Sequence, residues 1–251
     1  MDDICDVWGP AGILVTHVPV HDCHPVSPEV SPALAAVLFD MDGTLVDSEP
    51  VWDEALRELA RWLGGELSAD ARRATLGTNV KVSVRIVHAD VGRTDADPEL
   101  SGKKLVAEAE MRFAAGLTWR PGARELIDAV RAAGIPTALV TNTERPLVEV
   151  ALGELVGQLF DVSVAGDEVA HAKPAPDPYL TAARMLGVDI AATVAIEDSP
   201  TGTASAVAAG CAVLVVPAGD VPIPPGPGRT LAHTLAGLSV PDLAALLPHA
   251  A

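Results

Sequence analysis

The chain places pairs of carboxylates directly after short apolar runs. Asp40 and Asp42 follow the apolar residues 35–39, and Glu197 and Asp198 follow a similar run. Clustered like charges repel one another unless a cation lies among them. Mg²⁺ is the cation that best suits such a group, because it is hard and prefers oxygen ligands. If the two runs are neighbouring strands, these four residues predict a magnesium site.

A third apolar run ends in a hydroxyl and an amide. Thr141 and Asn142 follow residues 136–140. In open parallel sheets, ligands bind outside the carboxyl ends of the strands. A polar residue after one strand is common, but two carboxylate pairs and this third pair favour one shared site.

Short apolar runs alternate with helical stretches that close on glycine, which is typical of βαβ units. A run that is apolar throughout indicates a strand buried on both faces. The five predicted strands are residues 35–39, 136–140, 162–165, 192–196 and 211–216. The predicted helices between them are residues 123–134, 179–187 and 200–210. We therefore expect an α/β fold with a doubly wound, Rossmann-like parallel sheet.

Residues 48–118 interrupt this alternation and contain no convincing strand. They predict four amphipathic helices, at residues 50–63, 68–76, 81–91 and 98–113. We interpret residues 48–118 as a helical cap domain inserted into a core of residues 34–47 and 119–251. A second domain over the edge of the sheet would form a cleft. Residues 1–33, rich in Pro and Asp, are expected to be a flexible leader, and residues 217–228 a loop.

Charge and cysteine content exclude several classes of partner. Lys and Arg total 17 and Asp and Glu total 34, so the net charge is −17. Such a chain repels nucleic acids and anionic membranes, so neither is an expected partner. We find no apolar run long enough to span a bilayer and no secretory signal. Three cysteines without a CxxC pair favour a reduced, cytoplasmic compartment.

Four segments together resemble the motifs of the haloacid dehalogenase (HAD) superfamily, in the family's order. They are Phe-Asp-Met-Asp-Gly-Thr-Leu-Val-Asp-Ser-Glu-Pro at 39–50, Thr141, Lys173 in Lys-Pro-Ala-Pro-Asp-Pro, and Glu-Asp-Ser-Pro-Thr-Gly at 197–202. The resemblance covers about residues 35–247, and the helical insert is similar to the family's C1 cap. The subgroup that the chain resembles is that of the sugar-phosphate phosphatases and β-phosphoglucomutases.

The resemblance implies a reaction through an aspartyl-phosphate. By this resemblance Asp40 is the nucleophile, and Asp42 protonates the leaving group and then activates water. The residues that it assigns to phosphate binding are Gly43, Thr44, Thr141, Asn142 and Lys173. Those that it assigns to Mg²⁺ are Asp40, Asp198, Glu197 and the main-chain carbonyl of Asp42. The expected substrate is a small phosphorylated metabolite, a sugar or polyol phosphate, and we expect a monomer.

Two departures from the mutase pattern favour a phosphatase. Trp52 stands where β-phosphoglucomutases carry a histidine, and Val80, beside Lys81, stands where they carry an arginine. Trp52 and Lys81 are weak candidates for substrate contact. A phosphosugar mutase stays open as an alternative. A phosphoacceptor or binding protein without turnover is a second alternative, against which Asp42 and the helical insert argue.

Overall fold

A computed structural model describes residues 4–8, 14–19, 34–218 and 222–248, the first two ranges by their backbone only. Near the start of the chain, β1 (Ile4–Trp8) pairs antiparallel with β2 (Leu14–Pro19). The other strands are, in chain order, β3 (Ala36–Phe39), β4 (Thr137–Val140), β5 (Val162–Val164), β6 (Thr193–Glu197), β7 (Ala212–Val215) and β8 (Arg229–Leu231). They form one six-stranded sheet in the order β5-β4-β3-β6-β7-β8.

Every strand pair of this sheet is parallel, and β3 lies at its centre between β4 and β6. All four residues of β3 are buried. Its side chains alternate between two apolar clusters, with Val37 and Phe39 in one and Ala36 and Leu38 in the other. Such burial on both faces explains why the strand is apolar throughout. The predicted doubly wound parallel sheet is confirmed.

Helices cover both faces of the sheet. They are α5 (Ala123–Ala132), α6 (Arg145–Leu152), α7 (Leu155–Leu159), α8 (Asp177–Leu186), α9 (Pro200–Ala209) and α10 (Val240–Ala244). A 3₁₀ turn at Ile190–Ala192 precedes β6. Ser199 caps α9, because its Oγ accepts a hydrogen bond from the Gly202 N–H at 3.1 Å.

Four helices lie between β3 and α5 in chain order, where the sequence predicts the insert. They are α1 (Glu49–Trp62), α2 (Ala69–Ala74), α3 (Val80–Asp90) and α4 (Pro98–Phe113), and we call them the helical insert. Buried residues such as Leu59, Leu105 and Phe113 form its own apolar cluster, which Leu147 of α6 joins. The chain divisions at 48 and 118 stay a prediction.

Some elements differ from the prediction. The first 33 residues, predicted to be a flexible leader, contain the strands β1 and β2, whose β-branched and aromatic residues favour extended backbone. The rest of that segment, including His21, Cys23 and His24, whose side chains could bind a metal but whose spacing fits no zinc site, lies outside the described residues. The short β8 was not predicted, because it follows a Pro- and Gly-rich stretch. No helix among the described residues is long and apolar enough to cross a membrane.

Candidate active site

Three neighbouring strands deliver the predicted site residues to one edge of the sheet. Asp40 directly follows β3, Thr141 follows β4, and Glu197 is the last residue of β6. The Asp40 N–H donates to the Ile196 carbonyl at 3.0 Å, which continues the β3–β6 ladder to this edge. Since the strands are parallel, their carboxyl ends meet there, and the predicted clustering is observed.

Lys173 is the cation within this cluster. Its ammonium donates to Asp40 Oδ1 at 2.7 Å, to Glu197 Oε1 at 2.6 Å and to the Val140 carbonyl at 2.9 Å. An ammonium carries three N–H donors, so all of them are used. The Lys173 side chain is only 2% exposed. A phosphoryl oxygen that Lys173 binds must therefore replace one of these acceptors.

Asn142 fixes the loop that carries Lys173. Its side-chain Oδ1 accepts from the Lys173 N–H at 2.9 Å, and its Nδ2 donates to the Lys173 carbonyl at 3.1 Å. Nδ2 also donates to the Gly77 carbonyl of the helical insert at 2.9 Å. The side chain of Asn142, predicted to bind phosphate, thus holds the Lys173 backbone and connects the sheet to the insert.

The charges of this cluster are only partly balanced. Burial, together with the charge of Glu197, raises the pKa of Asp40 to about 7, although Lys173 opposes this shift. Burial alone would lower the pKa of Lys173, but the charges of Asp40 and Glu197 outweigh it and raise that pKa. Burial and the charge of Asp40 also raise the pKa of Asp198 well above its usual value. A further cation would relieve this repulsion.

The surroundings of Glu197 give it a second use besides the predicted metal binding. Its side chain is fully buried, and its Oε1 accepts from Lys173 and from the Tyr179 hydroxyl at 2.5 Å. A side chain at Gly202 would place a Cβ 2.0 Å from the Glu197 carboxylate oxygens, so only glycine lets α9 approach. Because one oxygen already accepts two hydrogen bonds, Glu197 acts here as a buried counter-ion that positions Lys173.

An all-oxygen group suited to Mg²⁺ is present. One carboxylate oxygen each of Asp40, Glu197 and Asp198 lies within 4.8 Å of the others. Oxygen donors without histidine or cysteine, and raised carboxyl pKa values, fit a hard divalent cation. Glu197 Oε1 accepts two hydrogen bonds, from Lys173 and Tyr179, whereas Asp40 Oδ1 accepts one, from Lys173. Asp40 and Asp198 are therefore the better placed ligands.

Gly43 brings the turn after β3 against Asp198. Its φ is +77°, and a Cβ at this position would lie 2.1 Å from Asp198 Oδ2. The Gly43 N–H donates to the Val46 carbonyl at 2.9 Å and closes the turn. The assignment of Gly43 to phosphate binding stays a prediction. The Thr44 hydroxyl is buried and has no hydrogen-bond partner among the described residues.

Asp42 is held by four donors. Its Oδ1 accepts from Ser48 Oγ at 2.7 Å and from the Trp52 indole N–H at 2.9 Å. Its Oδ2 accepts from Thr143 Oγ1 at 2.7 Å and from Thr141 Oγ1 at 3.2 Å. Thr141, predicted to bind phosphate, thus contacts Asp42. The indole N–H can only donate, so Oδ1 is fixed as an acceptor and Oδ2 is the oxygen left to carry a proton.

A cavity of about 50 Å³ adjoins Asp42 between the helical insert and the sheet edge. Trp52 lines it, as predicted for a substrate contact, and its ring also packs edge-on against Phe113 at a centroid distance of 5.6 Å. Lys81 instead lines a separate groove of about 740 Å³ with Val84 and Glu144. The structure therefore does not bring Lys81 to the catalytic carboxylates.

Three residues of the site were not predicted, namely Ser48, Thr143 and Tyr179. Ser48 and Thr143 are hydroxyl residues close in sequence to predicted site residues, and this proximity is the sequence feature that could have identified them as part of the site. Tyr179 had no such indication, because an aromatic residue near the start of a helix is usually core. Its hydroxyl reaches Glu197 only after α8 packs on the sheet.

Comparisons with known proteins agree with this geometry. A family model described as haloacid dehalogenase-like hydrolase matches residues 34–210. Protein CbbY of Rhodobacter capsulatus is 37% identical over 194 residues, which cover 73% of this chain and 86% of that protein. Hexitol phosphatase A of Escherichia coli K12 is 37% identical over 181 residues, which cover 71% of this chain and 81% of that protein.

A solved structure is also similar. The crystal structure of a CbbY mutant from Rhodobacter sphaeroides in complex with xylulose-1,5-bisphosphate is 30% identical, with a TM-score of 0.75. The match covers 84% of this chain and 99% of that one. The predicted resemblance is thereby confirmed: the chain belongs to the haloacid dehalogenase-like hydrolases.

Proposed function

We propose that this protein is a phosphatase that hydrolyses a small phosphate monoester of a sugar or polyol through an aspartyl-phosphate at Asp40. The observation that carries the proposal is the placement of Lys173 between Asp40 and Glu197 at the strand ends, with Asp198 beside them. The names of the relatives, among them a hexitol phosphatase, support the substrate class.

The first half of the reaction uses the two aspartates of the β3 turn. The Asp40 carboxylate attacks phosphorus, the bond between phosphorus and the leaving oxygen breaks, and Asp42 gives its proton to that oxygen. The ammonium of Lys173, held 2.7 Å from Asp40 Oδ1, offsets negative charge at the reacting centre. The hydroxyls of Thr141 and Thr143 contact Asp42 Oδ2, the oxygen proposed to donate. A hydroxyl can turn its hydrogen away when Oδ2 is protonated, which the Trp52 indole N–H at Oδ1 cannot do.

In the second half, water replaces the leaving group. Asp42, now ionised, takes a proton from the water as the oxygen attacks phosphorus, and the Asp40 carboxylate is released with inorganic phosphate. Trp52 and Ser48 keep Asp42 Oδ1 in place during both proton transfers. The same oxygen, Oδ2, therefore serves first as acid and then as base.

Mg²⁺ is the proposed cofactor, with Asp40 and Asp198 as its carboxylate ligands and Glu197 as the member of the cluster that also holds Lys173. When bound, Mg²⁺ neutralises charge on the carboxylates and on a phosphoryl group. Gly43 contributes by allowing Asp198 to approach the β3 turn. The helical insert is proposed as a cap whose residues contact the leaving group and exclude water.

A panel of phosphate esters with and without Mg²⁺ tests the proposal. The wild-type protein should release phosphate from sugar or polyol monophosphates only with the metal, and Asp40→Asn should release none. Asp47→Asn, a change of the same kind in the same turn, is the matched control and should retain turnover. Turnover by Asp40→Asn, or conversion of β-glucose 1-phosphate to glucose 6-phosphate without phosphate release, would contradict the proposal.

A further inference from the structure

The cavity of about 50 Å³ beside Asp42, the proposed general acid, has an unusual charge arrangement. Its charged lining consists of the carboxylates of Asp42 and Glu49 and the guanidinium of Arg72. Within the part of the chain that the structure describes, Arg72 is therefore the one cation that lines this cavity. Whether the cavity accepts an anionic leaving group depends on whether Arg72 is available.

Arg72 is engaged by the protein. Its Nη2 donates to the Glu49 carboxylate at 2.5 Å and to the Glu49 carbonyl at 3.2 Å, and its Nε donates to Asp53 Oδ1 at 3.1 Å. A fourth contact, from Nη1 to Thr75 Oγ1, is long at 3.4 Å. A guanidinium has five N–H donors, so most of them are in use. The side chain is only 14% exposed.

The carboxylates around Arg72 neutralise its positive charge in addition to accepting its hydrogen bonds. Glu49 faces Arg72 from the first turn of α1, and Asp53 reaches it from the next turn. Asp53 also pairs with Arg57 at 2.9 Å, but Arg57 is on the outer face and does not line the cavity. With Asp42 included, the cavity wall carries more negative than positive charge. The other polar side chains that line the cavity are uncharged, among them the hydroxyls of Thr78 and Ser83.

We infer that Glu49 and the engaged Arg72 make this phosphatase selective for esters whose leaving group is uncharged, and that they exclude substrates with a second phosphate. The part of an uncharged polyol that fits a cavity of about 50 Å³ can hydrogen-bond to Glu49, Thr78 and Ser83 without displacing the ion pair between Glu49 and Arg72. A second phosphate must either lie against Glu49 and Asp42 or take Arg72 from Glu49, and both routes cost binding energy. The inference rests on the proposed function.

A similar protein indicates which substrate class to use in the test. The CbbY of the matched crystal structure is in complex with a bisphosphate of a five-carbon sugar. The present chain shares its fold, and in it Glu49 occupies Arg72. Arg73, which lines an adjoining pocket with Glu49 and Asp198, is paired with Asp70, and Lys81, Arg85 and Lys103 line a separate groove. Comparing the turnover of a bisphosphate with that of a monophosphate is therefore the most direct test of the inference.

The test compares kcat/KM for two esters with the same carbon skeleton, a hexose or hexitol monophosphate and the corresponding bisphosphate, with Mg²⁺ present. The wild-type protein should turn over the monophosphate with a kcat/KM at least about tenfold higher. Equal values, or a preference for the bisphosphate, would overturn the inference and leave the proposed function intact. Failure to hydrolyse any monophosphate would overturn the proposed function and this inference with it.

Variants identify the responsible residue. Glu49→Gln releases Arg72, so it should raise the ratio of bisphosphate to monophosphate kcat/KM by about fivefold or more. Glu58→Gln on the same helix, where Glu58 pairs with Arg61 at 2.6 Å, is the matched control and should leave the ratio unchanged. If Glu49→Gln does not fold, Asp53→Asn removes a second negative charge that faces Arg72 and should move the ratio in the same direction. An unchanged ratio in the folded variant would overturn the assignment.

Discussion

Replacing Trp52 with phenylalanine removes one hydrogen-bond donor from Asp42 and keeps an aromatic ring in the helical insert. The indole N–H lies 2.9 Å from Asp42 Oδ1, and the ring packs edge-on against Phe113. A hydrogen bond to a charged group contributes about 1.5–3 kcal/mol. Three hydroxyl donors to Asp42 remain, so we use the lower figure, and about 1.4 kcal/mol corresponds to a tenfold change in rate.

We therefore expect Trp52→Phe to lower kcat about tenfold for a polyol monophosphate and to change KM less, because the lost bond positions the general acid. Steady-state kinetics with thermal melting measures both effects. Trp62→Phe is the matched control: Trp62 lies on the same helix, is 47% exposed, and should keep full activity. If KM rises while kcat stays constant, Trp52 contacts substrate instead of positioning Asp42, and the reasoning is refuted.

Three further predictions concern the metal and Lys173. Gly43→Ala pushes against Asp198 and should weaken Mg²⁺ activation by about tenfold or more in a Mg²⁺ titration; Gly64→Ala, with φ of +89° and no neighbour within 4 Å, should leave that activation unchanged. Tyr179→Phe removes a hydrogen bond to Glu197 and should lower the free energy of unfolding by about 1 kcal/mol; no change in denaturant titration would contradict it. In the folded protein the pKa of Asp40 is raised from 3.8 to about 7. Between these two pH values the folded protein keeps a proton on Asp40 that the unfolded chain has lost. The free energy of unfolding of the metal-free protein should therefore fall as the pH rises toward 7. Mg²⁺ should therefore raise the melting temperature more at about pH 8 than at about pH 5, and an equal rise at both would count against Asp40 as a ligand.

The sheet and the clustering at its edge were predictable because both follow from patterns along the chain. Strand β3 is apolar throughout and ends abruptly at Asp40, and the same pattern recurs before Thr141 and Glu197. Parallel strands bring these ends together without further information. The helices of the insert were also predicted to within a few residues, since their apolar spacing is a local feature of the sequence.

The orientation of individual side chains was not predictable in the same way. Glu197 turns toward Lys173 and Tyr179, and Gly202 leaves room for its carboxylate at the start of α9. The contacts with Lys173 and Tyr179 are not local in sequence. Lys81 follows the first residue of α3, and a small rotation of that helix decides whether it faces the site or the neighbouring groove. Such details depend on tertiary packing, which spacing along the chain does not specify.

The central claim is that Asp40 becomes covalently phosphorylated during turnover. The most direct measurement is to quench the protein with acid during turnover of a polyol monophosphate, reduce it with borohydride, and map the peptides by mass spectrometry. Borohydride converts an aspartyl-phosphate to homoserine, so the account predicts homoserine at position 40 only in samples that received substrate and Mg²⁺. Turnover without modification at position 40, or modification at another carboxylate, would contradict the account.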